Sequence, residues 1–212
     1  IIMEKNGKIF IQIASYRDPE LLNTIKDCIE KSDNPQNLVF GLCWQHSKDD
    51  KWDNLDEYLD DPRFKIVDVD FKESKGACWA RNSLQQQYDG EQYTFQLDSH
   101  HRFIEGWDTE LINMLEGLIE KGHKKPLLTS YISSYNPEND PEGRVNVPWL
   151  MNFDRFIPEG AVFFLPATIP NWETLTEPVP ARFYSAHFAF SLGSFVEDVP
   201  HDPEYYFHGE EI

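Results

Sequence analysis

Phe95-Gln96-Leu97-Asp98-Ser99-His100-His101-Arg102-Phe103 decides how the chain is read. Tyr93 to Leu97 is a short, mostly apolar run with the length and residue types of a buried strand. It ends in a carboxylate, a hydroxyl and two imidazoles. Such an ending is either the ligand-bearing tip of a sheet or an ordinary polar turn leaving the core. The elements on either side choose between them.

Upstream, Lys8 to Ala14 (KIFIQIA) reads as an apolar strand. Ser15-Tyr16-Arg17 makes a loop, and Asp18-Pro19 starts a helix. Asp accepts from free amide N–H groups there, and Pro is tolerated at the first helical position. Leu21, Leu22, Ile25, Cys28 and Ile29 then fall on one helical face. Asn37 to Trp44 is nearly all apolar, the pattern of a strand buried on both faces. Trp52 to Leu59 reads as a short helix and Phe64 to Val69 as a third strand. Lys75-Gly76 opens a helix through Ala80, Leu84 and Tyr88, closed by Asp89-Gly90. Downstream, Asp108 is expected to cap a helix whose apolar face is Leu111, Ile112, Leu115, Leu118 and Ile119, with Gly122 as its C-cap. Leu127 to Tyr131 is another short strand.

Strands and helices alternate throughout this half. That order predicts an α/β fold: a mainly parallel sheet with helices on both faces. In such sheets ligands sit beyond the carboxyl ends of the strands. Ser15 to Asp18, Gln45 to Lys48, Asp70 to Lys75 and Asp98 to His101 all fall there, so polar groups distant in sequence are expected to meet along one edge. After Tyr131 the pattern changes. Ser133 to Pro148 is a long polar loop of the kind that often forms a lid or a binding wall. Met151 to Phe156, Ala161 to Leu165 and Arg182 to Leu192 read as strands of a C-terminal antiparallel section. The 212 residues fit one domain, with residues 1–131 as a ligand-binding half and 132–212 as a second half.

The formal net charge of -18 repels polyanions and argues against a nucleic-acid partner. No run approaches the roughly 18 apolar residues of a membrane span. Cys28, Cys43 and Cys78 are odd in number and widely spaced, so free thiols and a reducing, cytoplasmic setting are expected.

Asp98 and His100 share one side of an extended chain because residues i and i+2 face the same way. A carboxylate oxygen and an imidazole nitrogen suit Mn²⁺ or a similar divalent ion, although Asp, Ser and His are equally ordinary turn residues. His101 points the other way and is expected to be structural. In Lys75-Gly-Ala-Cys-Trp79-Ala-Arg81-Asn82 the arginine is either a phosphate-binding cation or a surface residue. In Phe207-His208-Gly209-Glu210-Glu211 the two carboxylates either serve a sugar site or open a helix.

Together, Ile13-Ala-Ser-Tyr-Arg-Asp-Pro-Glu20, Gly76-Ala-Cys-Trp-Ala-Arg-Asn82, Gln96-Leu-Asp-Ser-His100 and Phe207-His-Gly-Glu-Glu211 resemble a glycosyltransferase of the GT-A fold. The nearest likeness is to glycosyltransferase family 60, which transfers N-acetylglucosamine to a protein hydroxyproline in the cytoplasm. A more distant likeness is to the polypeptide N-acetylgalactosaminyltransferases. The resemblance implies a UDP-sugar donor, Mn²⁺, a retaining mechanism and a peptide or glycan hydroxyl as acceptor. It implies Asp98 and His100 as metal ligands, and Glu210, Glu211 and Arg81 as catalytic residues. Ser15, Tyr16, Arg17, Gln45, Lys75, Arg81, Ser99 and His187 are implied as the donor-binding set. The distant relatives read uridine with an Asp after the second strand, where this chain has Trp44-Gln45-His46. They take a third metal ligand, a His, from downstream of the Gly-Glu motif. The chain stops at Ile212, so the expectation is that it is truncated, or else that His187 or His208 takes that part. Alternatives are a transferase using UDP-GalNAc or UDP-galactose, and a non-catalytic nucleotide-sugar or carbohydrate-binding domain.

Overall fold

The computed structural model of the chain describes residues 6–206. Four strands, β1 (Ile9–Tyr16), β2 (Leu38–His46), β3 (Phe64–Asp70) and β4 (Tyr93–Asp98), are parallel in the order β3-β2-β1-β4. Helix α1 (Leu21–Glu30) joins β1 to β2, and α2 (Ala77–Gln85) joins β3 to β4. Helix α3 (Trp107–Glu120) follows β4 and leads to the short strand β5 (Leu127–Thr129). The chain therefore leaves β1 toward β2 on one side, yet β4 docks on the other side of β1. This reversal of strand order opens a crevice at the carboxyl ends of β1 and β4.

Both sheet faces are covered. Ile9, Ile11 and Ile13 of β1 point into one core with Leu21 and Ile25 of α1, Leu115 of α3, Phe40 and Phe95. On the opposite face, Ala80 and Leu84 of α2 pack with Cys43 and partly buried Ala14 and Val67. This sandwiching is why Leu38–Gln45 are all buried and why the sequence of β2 shows no polar alternation.

The second half departs from a simple continuation. Strands β6 (Trp149–Phe156) and β7 (Val162–Thr168) form a separate antiparallel pair. Strand β8 (Phe188–Leu192) returns to the main sheet and inserts antiparallel between β4 and β5. Its Phe190, fully buried, fills the aromatic core around Phe95. A short helix, α4 (Phe195–Asp198), follows. Residues 199–206 then run along α2: Val199 O accepts from Gln85 Nε2 at 3.0 Å, and His201 O from Asn82 Nδ2 at 2.8 Å.

Two local expectations are corrected. Residues 52–59 form only a 3-10 turn at Asp56–Tyr58. Asp53 turns back to accept from Trp44 Nε1 at 2.7 Å, and the buried Leu55 pins the segment to the sheet. The N-cap of α3 is Gly106, in the left-handed region at φ 69°, and not Asp108. Asp108 instead accepts from Ser32 Oγ (2.7 Å), Asp33 N and Asn34 N (both 2.9 Å), tying α3 to the α1–β2 loop. The segment 133–148 is a loop, as expected, broken only by a 3-10 turn at Pro137–Asn139, and two arginines clamp it. Arg102 pairs with both Glu20 and Asp140. Arg144 pairs with Asp140 and donates to Phe103 O at 2.9 Å.

Candidate functional site

The four expected strand ends do line one edge, because register brings Ala14 opposite Asp98, Tyr16 opposite Gln45 and His46 opposite Asp70. At the β1/β4 crevice, Asp98 leaves the core half-buried. Arg81, almost wholly buried in α2, reaches its Oδ1 from Nη2 at 3.4 Å. His100 Nε2 lies 3.8 Å from Asp98 Oδ2. The opposite ring nitrogen, Nδ1, is 2.7 Å from Asp18 Oδ2, and Ser99 Oγ donates to the same oxygen at 2.6 Å.

The turn carrying these groups is fixed from behind. Thr24 Oγ1, on α1, donates to Ser99 O at 2.7 Å and accepts from His101 N at 2.9 Å. His101 faces inward among Phe95, Phe103 and Phe188. Burial drives its pKa down to about 3, so it is a neutral structural group. Burial alone raises the Asp18 carboxyl, but its hydrogen bonds from His100 and Ser99 win and hold it below the usual range. The bond to Asp18 raises His100 against a smaller burial effect.

Asp98 and His100 fit a divalent ion. One hard oxygen and one imidazole nitrogen converge, and the other imidazole nitrogen is held by a carboxylate, the usual support of a metal-bound histidine. No set of three or more His, Cys, Asp or Glu able to hold a metal occurs among the described residues. His187 follows from the β4–β8 register, lying next to Asp98 one position beyond the Leu97–Phe188 pair. Burial is the main cause that depresses it, and the charges of Asp98, Arg81 and His100 act on it. Ile132 N donates to its Nε2 at 3.1 Å, so Nδ1 carries the proton toward Ser185 Oγ at 2.9 Å. Both ring nitrogens thus have protein partners.

The remaining donor-set candidates spread along the edge. Tyr16 is exposed, with its ring edge-on to Phe71. Arg17, at φ 48°, donates from Nε and Nη2 to Asp50 at 2.6 and 2.9 Å and lies over Phe71. Gln45 Nε2 donates to Ser15 O at 3.1 Å. Gln45 Oε1, Ser15 Oγ and Asp53 Oδ2 are buried without a hydrogen-bond partner. Lys75 is exposed beside Trp79, 5.9 Å from its ring centroid. Ala77 N donates to Tyr206 O at 3.0 Å. Glu210, Glu211 and His208 lie outside the described residues.

Sequence reasoning assigned no site role to Asp18 or Asp53. Asp18 carried a signal, since it follows β1 at the same edge as Asp98, but its neighbour Pro19 drew it into a helix-start reading. Asp53 carried none, because its approach to Trp44 is made by an irregular loop. Beyond the edge, a cavity of about 260 Å³ is lined by Tyr131, Met151, Phe163, Phe164 and His187, among others. It links His187 to the β6–β7 pair.

The sequence matches the family model "Glycosyltransferase (GlcNAc)" over residues 8–65 and 54–212. No curated protein matches it. Among solved structures, the chain is similar to GalNAc-T7 with UDP, GalNAc and Mn²⁺, at 17% identity and a TM-score of 0.65, over 95% of this chain and 38% of that one. It is also similar to S. aureus TarS 1-349, at 14% identity and a TM-score of 0.55, over 96% of this chain and 52% of that one. At these identities the likeness shows the fold, which is the GT-A arrangement expected from the sequence. The chain spans about half the length of that TarS chain or less of the structures it resembles.

Proposed function

This chain belongs to the glycosyltransferase (GlcNAc) family, and from that premise we propose that it transfers a sugar, N-acetylglucosamine, from a UDP-sugar to a hydroxyl acceptor with Mn²⁺ and retention of configuration. The observation that carries this is the Asp98–His100 pair at the β1/β4 crevice, with the far side of the imidazole already held by Asp18. The solved complex of GalNAc-T7 contains UDP, GalNAc and Mn²⁺, which supports a nucleotide-sugar reading of the shared fold.

Asp98 and His100 are the metal ligands in this proposal. A bound divalent cation would neutralise the diphosphate and the charge that develops on the departing nucleotide. Arg81 orients Asp98 and supports the donor phosphates from α2, with Lys75 at the rim. Ser15, Tyr16, Arg17 and Gln45 form the uridine side. Gln45 Oε1, buried and unpartnered, suits the N–H of a uracil, and the exposed Tyr16 ring gives a base a stacking face. Arg17 acts by fixing this loop to Asp50. Ser99 and His187 flank the sugar. Glu210 and Glu211, outside the described residues, serve the sugar or the acceptor. The division of labour is donor binding by residues 1–131 and acceptor binding by 132–212, along the cavity beneath β6–β7. Cys28, Cys43 and Cys78 are buried and none of them is in a disulfide, which suits the cytoplasm as the compartment.

The test is UDP binding by calorimetry with and without Mn²⁺, alongside UDP release across a panel of UDP-sugars. Mn²⁺ is expected to tighten UDP binding, and Asp98→Ala to abolish that gain. Equal UDP affinity with and without Mn²⁺ would sink the metal assignment. No turnover with any donor would favour a binding domain.

A further inference from the structure

We infer that Asp18 is the positioning residue of the site: its carboxylate decides which nitrogen of His100 carries the proton and aims the other at Asp98. The inference rests on Asp98 and His100 being metal ligands, and it concerns a residue that the sequence places on the polar edge and reads as a helix start, with no role in the site.

The carboxylate is itself fixed. Asp18 Oδ1 accepts from Glu20 N at 2.9 Å, which anchors it to the beginning of α1. Its second oxygen, Oδ2, then accepts from both Ser99 Oγ and His100 Nδ1. An ionised carboxylate only accepts, so Nδ1 must donate and the neutral imidazole keeps its lone pair on Nε2. That lone pair sits 3.8 Å from Asp98 Oδ2, too far for a hydrogen bond. Two electron-pair donors so placed, with no proton between them, form an arrangement that a cation completes. The backbone of the turn does not depend on Asp18, because Thr24 holds Ser99 O and His101 N from α1. Aiming the ring and holding the turn are thus separate tasks of separate residues.

Asp18→Asn tests this with little change in shape. Its amide oxygen still accepts from Glu20 N, since Asn is tolerated at such positions. Its amide nitrogen donates where the carboxylate accepted, and so favours a proton on His100 Nε2. Long-range ¹H–¹⁵N spectra of the metal-free chain, at alkaline pH where imidazole is neutral, are expected to show Nδ1–H in the parent and Nε2–H in Asp18→Asn. Mn²⁺ alone, titrated with free ion followed by electron paramagnetic resonance, is expected to bind about 10- to 100-fold more weakly to the variant, with the unfolding midpoint nearly unchanged.

A parent protein with its His100 proton on Nε2 overturns the inference and needs no variant. So does a variant that keeps both the parent tautomer and the parent Mn²⁺ affinity. If the parent binds no Mn²⁺ even with UDP, the metal-dependent function fails, while the tautomer change alone upholds Asp18 as the residue that sets the ring.

Discussion

Two strands of this chain have nearly the same length and opposite surroundings. In β2, Leu38–Gln45 are buried without exception, whereas in β6, Asn152–Phe156 are all exposed. The first is sandwiched between helices and sets the position of the site edge by register alone. The second pairs only with β7 and projects Phe153, Phe156, Phe163 and Leu165 outward. Under the proposed function, the difference would separate two jobs. A donor site needs atoms held to fractions of an ångström, which a two-sided core supplies. A surface for a variable acceptor needs apolar contact without that constraint.

The comparison predicts unequal mutational costs, the largest on the sheet side. Phe95→Ala removes a ring packed against Phe188, Phe190, His101, Phe103 and Trp107. A loss of about 3–5 kcal/mol is expected in denaturant unfolding. A loss under about 1 kcal/mol would mean that the aromatic core does not set stability.

Acid comes next. Burial holds His101 at about 3 and His201 at about 4, both below the ordinary 6.5. The unfolded chain takes up these protons first, so this stability is whole above about pH 6.5 and falls as pH drops toward 4 and 3. The slope is about 1.4 kcal/mol per pH unit for each histidine. Trp149–Thr168 contain no histidine, so the melting temperature should fall with acid through the sheet half. His201→Gln should flatten the profile.

Gly76→Ala tests the junction of α2 with residues 199–206. At φ 102° an alanine is strained, and its Cβ would lie 2.2 Å from Tyr206 O. A cost of about 1–3 kcal/mol is expected, with faster hydrogen exchange at Ala77 N. Unchanged exchange would show that the contact is not held in solution.

The smallest change in stability is expected from Phe163→Ala on the exposed pair. Its ring contacts the Arg155 guanidinium at 4.2 Å, and an exposed pair of this kind contributes under about 1 kcal/mol. If the β6–β7 pair carries acceptors, this variant should raise the acceptor KM while leaving UDP binding intact. A cost near that of Phe95→Ala would erase the distinction between the two regions.

Much of the first half was legible in the sequence because its signals are local. The apolar runs of β1 and β2, the one-sided face of α1, and the Gly122 stop of α3 (φ 96°) each follow from neighbours a few residues apart. Parallel order and the polar edge followed from their alternation. The two-residue period anticipated that His100 would lie on the side of Asp98 while His101 turns into the core.

What the sequence by itself determined, then, is the α/β class, the family likeness and the edge where chemistry gathers. Only the tertiary structure decided that β8 enters between β4 and β5, that Arg102 and Arg144 clamp the 133–148 segment, and that both nitrogens of His187 are occupied. Only it joined Asp18 to His100, 82 residues apart along the chain. The physical reason is common to all four. Each depends on groups brought together by strand pairing or loop closure across long stretches of chain, and no periodicity within a window of one element encodes which distant partner a carboxylate or a strand edge will meet.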